Sequence, residues 1–536
     1  MKIRLGPFSG MAPRVSPRLL SDNQSQTANN VQFYKGTLRP INTSLNVAAT
    51  LKGGTVKSLH LFASQYWFNW LDVVNVVRGP IENDTSERTY WTGDTADGGK
   101  PKMGYSPYSI GSAPYPSAYY RLGVPVPAAA PSLALGGGGG CAEENKASRA
   151  YLYTYVSAIG EEGPPSPPTV ISGVCPGQTV NITGMSAGPA GPYNIAYKRI
   201  YRSVTGSNND YDYLMVDEIP VANDTYADSI TDANLSTVSL VSTNWSPPPD
   251  GLTGLKELSN GMMAGFVGKD IHICEPYMPH AWPHTQTVSY NVVAIGAFGT
   301  TMVALTEGTP YIAQGTDPTA LSLERMAFEQ SCVSARGVVT AGDSGIIYPS
   351  PDGLVFIGVG GARVITEDVM RREEWQTYKP ESIHGYFHDG QYIGFYDTGT
   401  TTGGLIFDPR TNDFCLFDTY ATAGHVDVKT DALYLVVSGQ LVKWKGGNSK
   451  TTGTWKSKTF ETGWTNFSVC RVEAATYSSL ILKLYVDSVL KLTKTVTSNA
   501  PFRLPSGYKG RVAEIEITTT DETHWVEVAN SIEELS

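Results

Sequence analysis

The chain has 536 residues and a formal net charge of -10, with 40 basic against 50 acidic side chains. Charged residues are only 17% of the total, while Gly and Pro number 55 and 34. That balance argues against a surface that grips nucleic acid by phosphate neutralisation and against long helices, and it favours a mainly β protein with more than one core. A neutral or acidic wall along which DNA slides stays compatible with it.

Residues 1–45 read as an extended N-terminal arm, with Pro13, Pro17 and the stretch ANNVQFYKGTLRP ending at Pro40. Residues 46–135 read as the first part of a β-propeller. His60, Phe62, Tyr66, Trp67, Phe68 and Trp70, followed by Val73, Val74, Val76 and Val77, predict a hairpin or meander with one aromatic face. Residues 100–126 are rich in Pro, Gly and Tyr, and 127–140 (PAAAPSLALGGGGG) predicts a flexible linker.

Residues 141–245 read as an inserted fibronectin-type β-sandwich. Tyr151, Tyr153 and Tyr155 alternate with Leu152, Thr154 and Val156, the period-two pattern of a strand with one covered face. The run GEEGPPSPP at 160–168 forces a turn. Further strands are predicted at 178–182, 195–202, 213–219 and 225–227, the spacing of such a sandwich.

Residues 246–450 predict the remaining propeller blades. Strand pairs recur about every 45 residues, as expected of a blade repeat. Their turns include Gly268-Lys269-Asp270, Pro351-Asp352-Gly353 and His388-Asp389-Gly390. Residues 451–536 predict a C-terminal β-sandwich-like platform domain, with strands at 470–474, 480–486, 511–517 and 524–528. Only 321–330 and 367–374 approach helical character, and both are short.

No constellation of residues specifies chemistry. Gly136 to Gly140 lacks the Lys-Ser or Lys-Thr of a phosphate loop. His280 and His284 have zinc-like spacing, but Pro283 between them prevents the helical face that would aim both rings together. Asp389 with Asp408, and Glu373 with Glu374, read as turn or solvated carboxylates rather than a glycosidase pair. Ser350-Pro351-Asp352-Gly353 resembles a sialidase-type propeller turn without its closing aromatic. The aromatic run from Tyr66 to Trp70 reads as core rather than as a sugar platform. Cys141, Cys175, Cys274, Cys332, Cys415 and Cys470 are scattered with no Cys-x-x-Cys pair, and reduced thiols are expected. Catalytic, cofactor and metal residues are therefore assigned to none, and the chain is expected not to be an enzyme. The start MKIRLGPFSGMAPR lacks a signal-peptide apolar run, and no stretch is apolar enough to predict a membrane span.

Several motifs occur in one order along the chain: ANNVQFYKGTLRP, YWFNWLDVVNVVRGP at 66–80, GEEGPPSPP, RIYRS at 199–203 and FRLP at 502–505. In that order they resemble the tail nozzle or hub proteins of short-tailed bacteriophages, similar to tail tubular protein B and the packaged-DNA stabilisation proteins. The resemblance implies a homo-oligomeric ring, commonly a hexamer, below the portal and adaptor. It implies propeller and sandwich domains, contact with tail fibre or tail tip proteins, and double-stranded DNA passing through without sequence specificity. It also implies a place in the virion tail after synthesis in the host bacterial cytoplasm, and it carries over no catalytic residue. On this reading the arm before Pro40 and the terminal sandwich contact neighbouring subunits or the adaptor, and loops in 100–120 close the channel. The rival is a virion-surface receptor-binding or glycan-cleaving propeller. A secreted adhesin with a fibronectin-type module is a third reading, disfavoured by the missing signal peptide.

Overall fold

A computed structural model describes residues 1–137, 140–205 and 211–535. Gly138 and Gly139 of the glycine run lie outside the described residues. The fold is mainly β: a propeller, a sandwich inserted into it and a terminal sandwich.

The propeller has seven blades. Blade 1 is the hairpin Ser58–Phe62 and Tyr66–Trp70, and blade 2 runs from Asn75–Arg78 through Thr89–Thr92 and Lys102–Gly104 to Tyr120–Arg121. Blades 3, 4, 5 and 6 are four-stranded antiparallel sheets whose first strands are Thr253–Glu257, Val292–Phe298, Val339–Thr340 and His384–His388. Blade 7 has Ala423–Asp427, Ala432–Val437 and Gln440–Lys443, and its fourth strand is Leu45–Asn46 from the other end of the chain. This borrowed strand latches the ring shut.

The first strands of the blades face the axis, and from blade 2 round to blade 1 each abuts the first strand of the next. Between blades 1 and 2 the Ser58 hydroxyl donates to the Asp72 carbonyl at 2.9 Å and accepts the Val74 N–H at 2.8 Å. Apolar faces fill the gaps between blades, as where Ile271 and Ile273 of blade 3 meet Ile295, Met302 and Ala304 of blade 4. Each fully buried Ile or Leu there contributes about 1.5–3 kcal/mol. Tight turns set the registers. In blade 6, Asp389 (φ 55°) and Gly390 (φ 72°) supply the two left-handed residues that a two-residue hairpin requires.

The insertion lies between blades 2 and 3. Its sheets have the strand order Thr169–Val174, Ala147–Ser157, Ile195–Thr205, Tyr211–Pro220, and Ser132–Leu135, Val180–Thr183, Tyr226–Asp228. The expected linker thus contains a strand, because Ser132–Leu135 pairs with Val180–Thr183. Tyr151, Tyr153 and Tyr155 fill the sandwich core as expected, but Leu152, Thr154 and Val156 are buried as well. The turn at 160–168 folds back over that second face, where Val156 bridges Glu162 and the Thr154 hydroxyl donates to the Glu162 carboxylate at 2.7 Å. Cys141 and Cys175 form a disulfide with Cα atoms 5.7 Å apart, which corrects the expectation of six reduced thiols; the other four are free and buried. A 34-residue separation hid that pairing.

The N-terminal residues are not a free extended arm. Lys2–Leu5 pairs with 526–529, Thr37–Pro40 also meets the last strand, and Ser25–Asn29 pairs with 454–457 while Asn29 bridges Leu416 of blade 6. Blade 6 and one terminal sheet therefore form a single ten-stranded sheet. The arm's backbone groups are used within its own chain, because Leu5, Phe8, Ala28, Val31 and Leu38 are buried in the terminal core.

Candidate functional site

The carboxylates considered as catalytic pairs sit in turns, ion pairs and a helix start. Asp408 accepts Arg410 at 2.6 Å and Gln391 at 3.3 Å, while Asp389 occupies the hairpin turn. Glu373 and Glu374 start a five-residue helix, and Glu374 accepts the Arg371 N–H. In the 350–353 turn the Ser350 hydroxyl donates to the Gly353 carbonyl, and Asp352 accepts Arg372. His280 and His284 do not converge: His284 lies 3.1 Å from Glu275 while His280 faces Glu161 at 4.0 Å. Among the described residues no group of three His, Cys, Asp or Glu side chains is placed to hold a metal ion.

The 100–120 segment provides the outer strands of blade 2 and a stack of Tyr105, Tyr108 and Tyr120. That places it on the outer strands of blade 2, away from the propeller's own axis.

Two polar clusters stand out. One is the junction of the insertion with blades 2 and 3. Glu161 is 8% exposed, 3.7 Å from Arg88, which also binds Asp84 at 2.6 Å. Among the described residues, Tyr90, one Glu161 oxygen and both His280 nitrogens have no partner in a well-formed hydrogen bond. Burial raises the Glu161 carboxyl to about 7, with Arg88 opposing, and lowers His280 to about 4.

The other cluster is the propeller axis. A cleft of about 250 Å³ is lined by Val73 and Asn75 of blade 2, Lys256 of blade 3, Ile295 of blade 4 and Thr340 of blade 5. An adjoining cleft of about 180 Å³ shares Val73, Asn75, Ala335 and Val338 and adds Lys57, Arg336 and His384. Lys256 donates to the Thr340 hydroxyl at 3.2 Å, reaching across the front of blade 4. Arg336 donates to the Lys57 and Thr422 carbonyls at 2.8 and 2.6 Å. The sequence reading did not single out these cations. Their one signal is a charge within a short inner strand such as Thr253–Glu257, whose neighbours Gly254 and Leu255 are small or apolar.

On the outer side of blade 1, which has two strands instead of four, Tyr66, Trp67 and Tyr115 line an open cleft of about 590 Å³. Trp67 and its neighbours are shared between that cleft and the core, with Trp70 packed on Trp91.

No family model and no curated sequence matches the chain. Solved structures to which it is similar include the Pan2 WD40 domain of Neurospora crassa, at 8% identity and a TM-score of 0.26 over 51% of this chain and 86% of that one. Another is AztD of Citrobacter koseri, at 11% identity and a TM-score of 0.26 over 66% and 83%. A third is the extracellular domain of a putative hybrid two-component system from B. thetaiotaomicron, at 8% and 0.26 over 95% and 63%. The seven-bladed description above stands on this chain's own strand order.

Proposed function

We propose that the protein is a structural, non-enzymatic subunit of the tail nozzle of a short-tailed bacteriophage. In this reading, copies form a closed ring below the portal and adaptor that retains packaged DNA and conducts it at ejection. The observation that carries it is the outer edge of the terminal sandwich. Val489–Val496 ends the ten-stranded sheet with no further strand beside it among the described residues. Val489 and Leu490 there are exposed, and on the same domain Trp464 is 65% and Ile532 is 66% exposed. An unpaired sheet edge offers backbone groups to a strand of a neighbouring copy, and Lys491 and Lys494 on the same strand restrict that pairing to a partner that accommodates their charge. The fusion of blade 6 with the terminal sheet supports the same reading, since it makes a stiff block of the propeller and its platform.

Electron cryo-microscopy of the purified protein, alone and with the adaptor and portal complex, tests the proposal. A closed ring with an axial channel is expected, with Val489–Val496 in a subunit contact. The second reading, a saccharide-binding propeller on the virion surface, is favoured by the aromatic cleft of Tyr66, Trp67 and Tyr115. A monomer that binds oligosaccharide in that cleft would replace the nozzle reading with this one.

A further inference from the structure

The two clefts at the propeller axis have a one-sided charge that neither reading uses. In a chain of net charge -10, the charged residues lining these contiguous clefts are Lys57, Lys256 and Arg336, and no Asp or Glu lines them. None of the three cations has a carboxylate within 4.0 Å among the described residues. Lys256 has one polar contact, the Thr340 hydroxyl, which itself donates to the Ala297 carbonyl at 3.3 Å. Desolvation lowers the Lys256 ammonium from its ordinary value, and its chain neighbour Glu257 only opposes that effect. Glu257 lies outside the lining of both clefts. Glu257 acts on Lys256 and Asp72 on Lys57 only at longer range, and a desolvated cation with no carboxylate in direct contact is stabilised by an anion that makes one.

The remaining wall offers neutral polar groups beside the cations. Asn75 lies where the two clefts meet, and Thr253 and Thr340 flank Lys256. In the second cleft, His384 is buried with neither ring nitrogen in a well-formed hydrogen bond. Apolar Val73, Val293, Ile295 and Val338 complete the wall of the larger cleft.

We propose that the larger axial cleft binds a small oxyanion, carboxylate or phosphate, held by Lys256 and Thr340 with Asn75 beside them, while Lys57 and Arg336 of the adjoining cleft add positive potential. The larger cleft, about 250 Å³, suits a compact anion and not a polymer. Arg336 holds the wall through its two carbonyl contacts and adds positive potential without needing to move. The anion neutralises the axis and ties blades 2, 3 and 5 together, so binding stabilises the ring of blades.

The test uses the full chain, with inorganic phosphate and citrate as separate probes and sodium chloride at matched ionic strength as control. Saturable binding by titration calorimetry is expected for at least one probe, with a melting-temperature rise that chloride does not reproduce. Which probe binds distinguishes a phosphate from a carboxylate ligand. Lys256→Gln should weaken that binding at least tenfold, and Lys256→Arg should retain most of it. If Lys256→Gln fails to fold, the exposed Lys57→Gln variant takes its place, with a several-fold loss expected. Absence of saturable binding to either probe overturns the proposal. So does unchanged affinity in the folded Gln variant.

Discussion

Glu161 illustrates how one buried carboxyl couples an inserted domain to its host. The first cause of its raised pKa is desolvation, so the fold prefers it protonated, whereas the unfolded chain ionises it near 4.5. With the folded value above the unfolded one, this group's support is complete below about pH 4.5 and is lost as pH rises through about 7. The loss is at most about 3 kcal/mol. His280 works oppositely: its folded value is depressed to about 4, so its contribution is lost as pH falls from 6.5 towards 4. Subtracting the stability curve of Glu161→Gln from that of the wild type isolates the carboxyl. A difference that declines from pH 4.5 to 7 is expected in denaturant titrations, and a flat difference would refute this account.

Arg202 makes a second case at the same scale. It is fully buried in the insertion, donating to Asp228 at 2.7 Å, to the Ile230 carbonyl at 2.8 Å and to Asp232 at 3.0 Å. Asp228, also fully buried, accepts the Tyr151 hydroxyl at 2.7 Å. Arg202→Ala leaves that carboxylate uncompensated and should cost the insertion about 3–5 kcal/mol. Arg202→Met with Asp228→Leu, which removes both charges together, should cost much less. Hydrogen exchange across the insertion measures both variants, and equal losses would show that packing rather than charge decides the site.

Among the elements, hairpins were the most legible, because a turn writes its own geometry into adjacent residues. Asp389-Gly390 and Gly268-Lys269 sit where left-handed backbone or a two-residue reversal is needed, and the strands flank them as expected. Features that depend on distant partners left no local mark. Nothing in ANNVQFYKGTLRP specifies that it pairs with strands more than four hundred residues away, and its Pro and polar content reads locally as an arm. The same holds for the strand at Ser132–Leu135 and for the disulfide. Closing a loop of this length is worth about 2–4 kcal/mol, so Cys141→Ser should lower the insertion's stability by that amount. Calorimetry of oxidised and reduced protein tests this, with only the insertion's transition expected to move. A shift confined to the propeller would contradict the assignment. The axial cations were illegible for a related reason: Lys57, Lys256 and Arg336 belong to separate blades, and only closure of the ring brings them together.

For the whole molecule, the two ends of the chain and the insertion are built into it very differently. Residues 1–46 supply strands to both terminal sheets and to blade 7, so they close the propeller and complete its platform at once. The insertion instead leaves and rejoins the propeller at one place: a Cβ on Gly123 (φ 90°) would lie 2.5 Å from the Pro248 ring and 3.0 Å from Pro247. Leu122 and Leu252 then share one core beside blades 2 and 3. Replacing 126–245 with a short Gly-Ser linker should therefore leave a folded seven-bladed protein, because the loop to be closed is short and closure entropy grows slowly with length. Its losses are local, chiefly the Glu161 junction and the contact of Arg121 with Tyr193 at 3.1 Å. Removing 1–27 should have the opposite outcome, since it strips Leu5 and Phe8 from the terminal core and the partner strand from 454–457. Circular dichroism melts and gel filtration of the two deletions decide between these outcomes. A monodisperse excision variant beside an unfolded or aggregated truncation is expected. The reverse result would mean that the inserted sandwich, rather than the chain ends, holds the propeller closed.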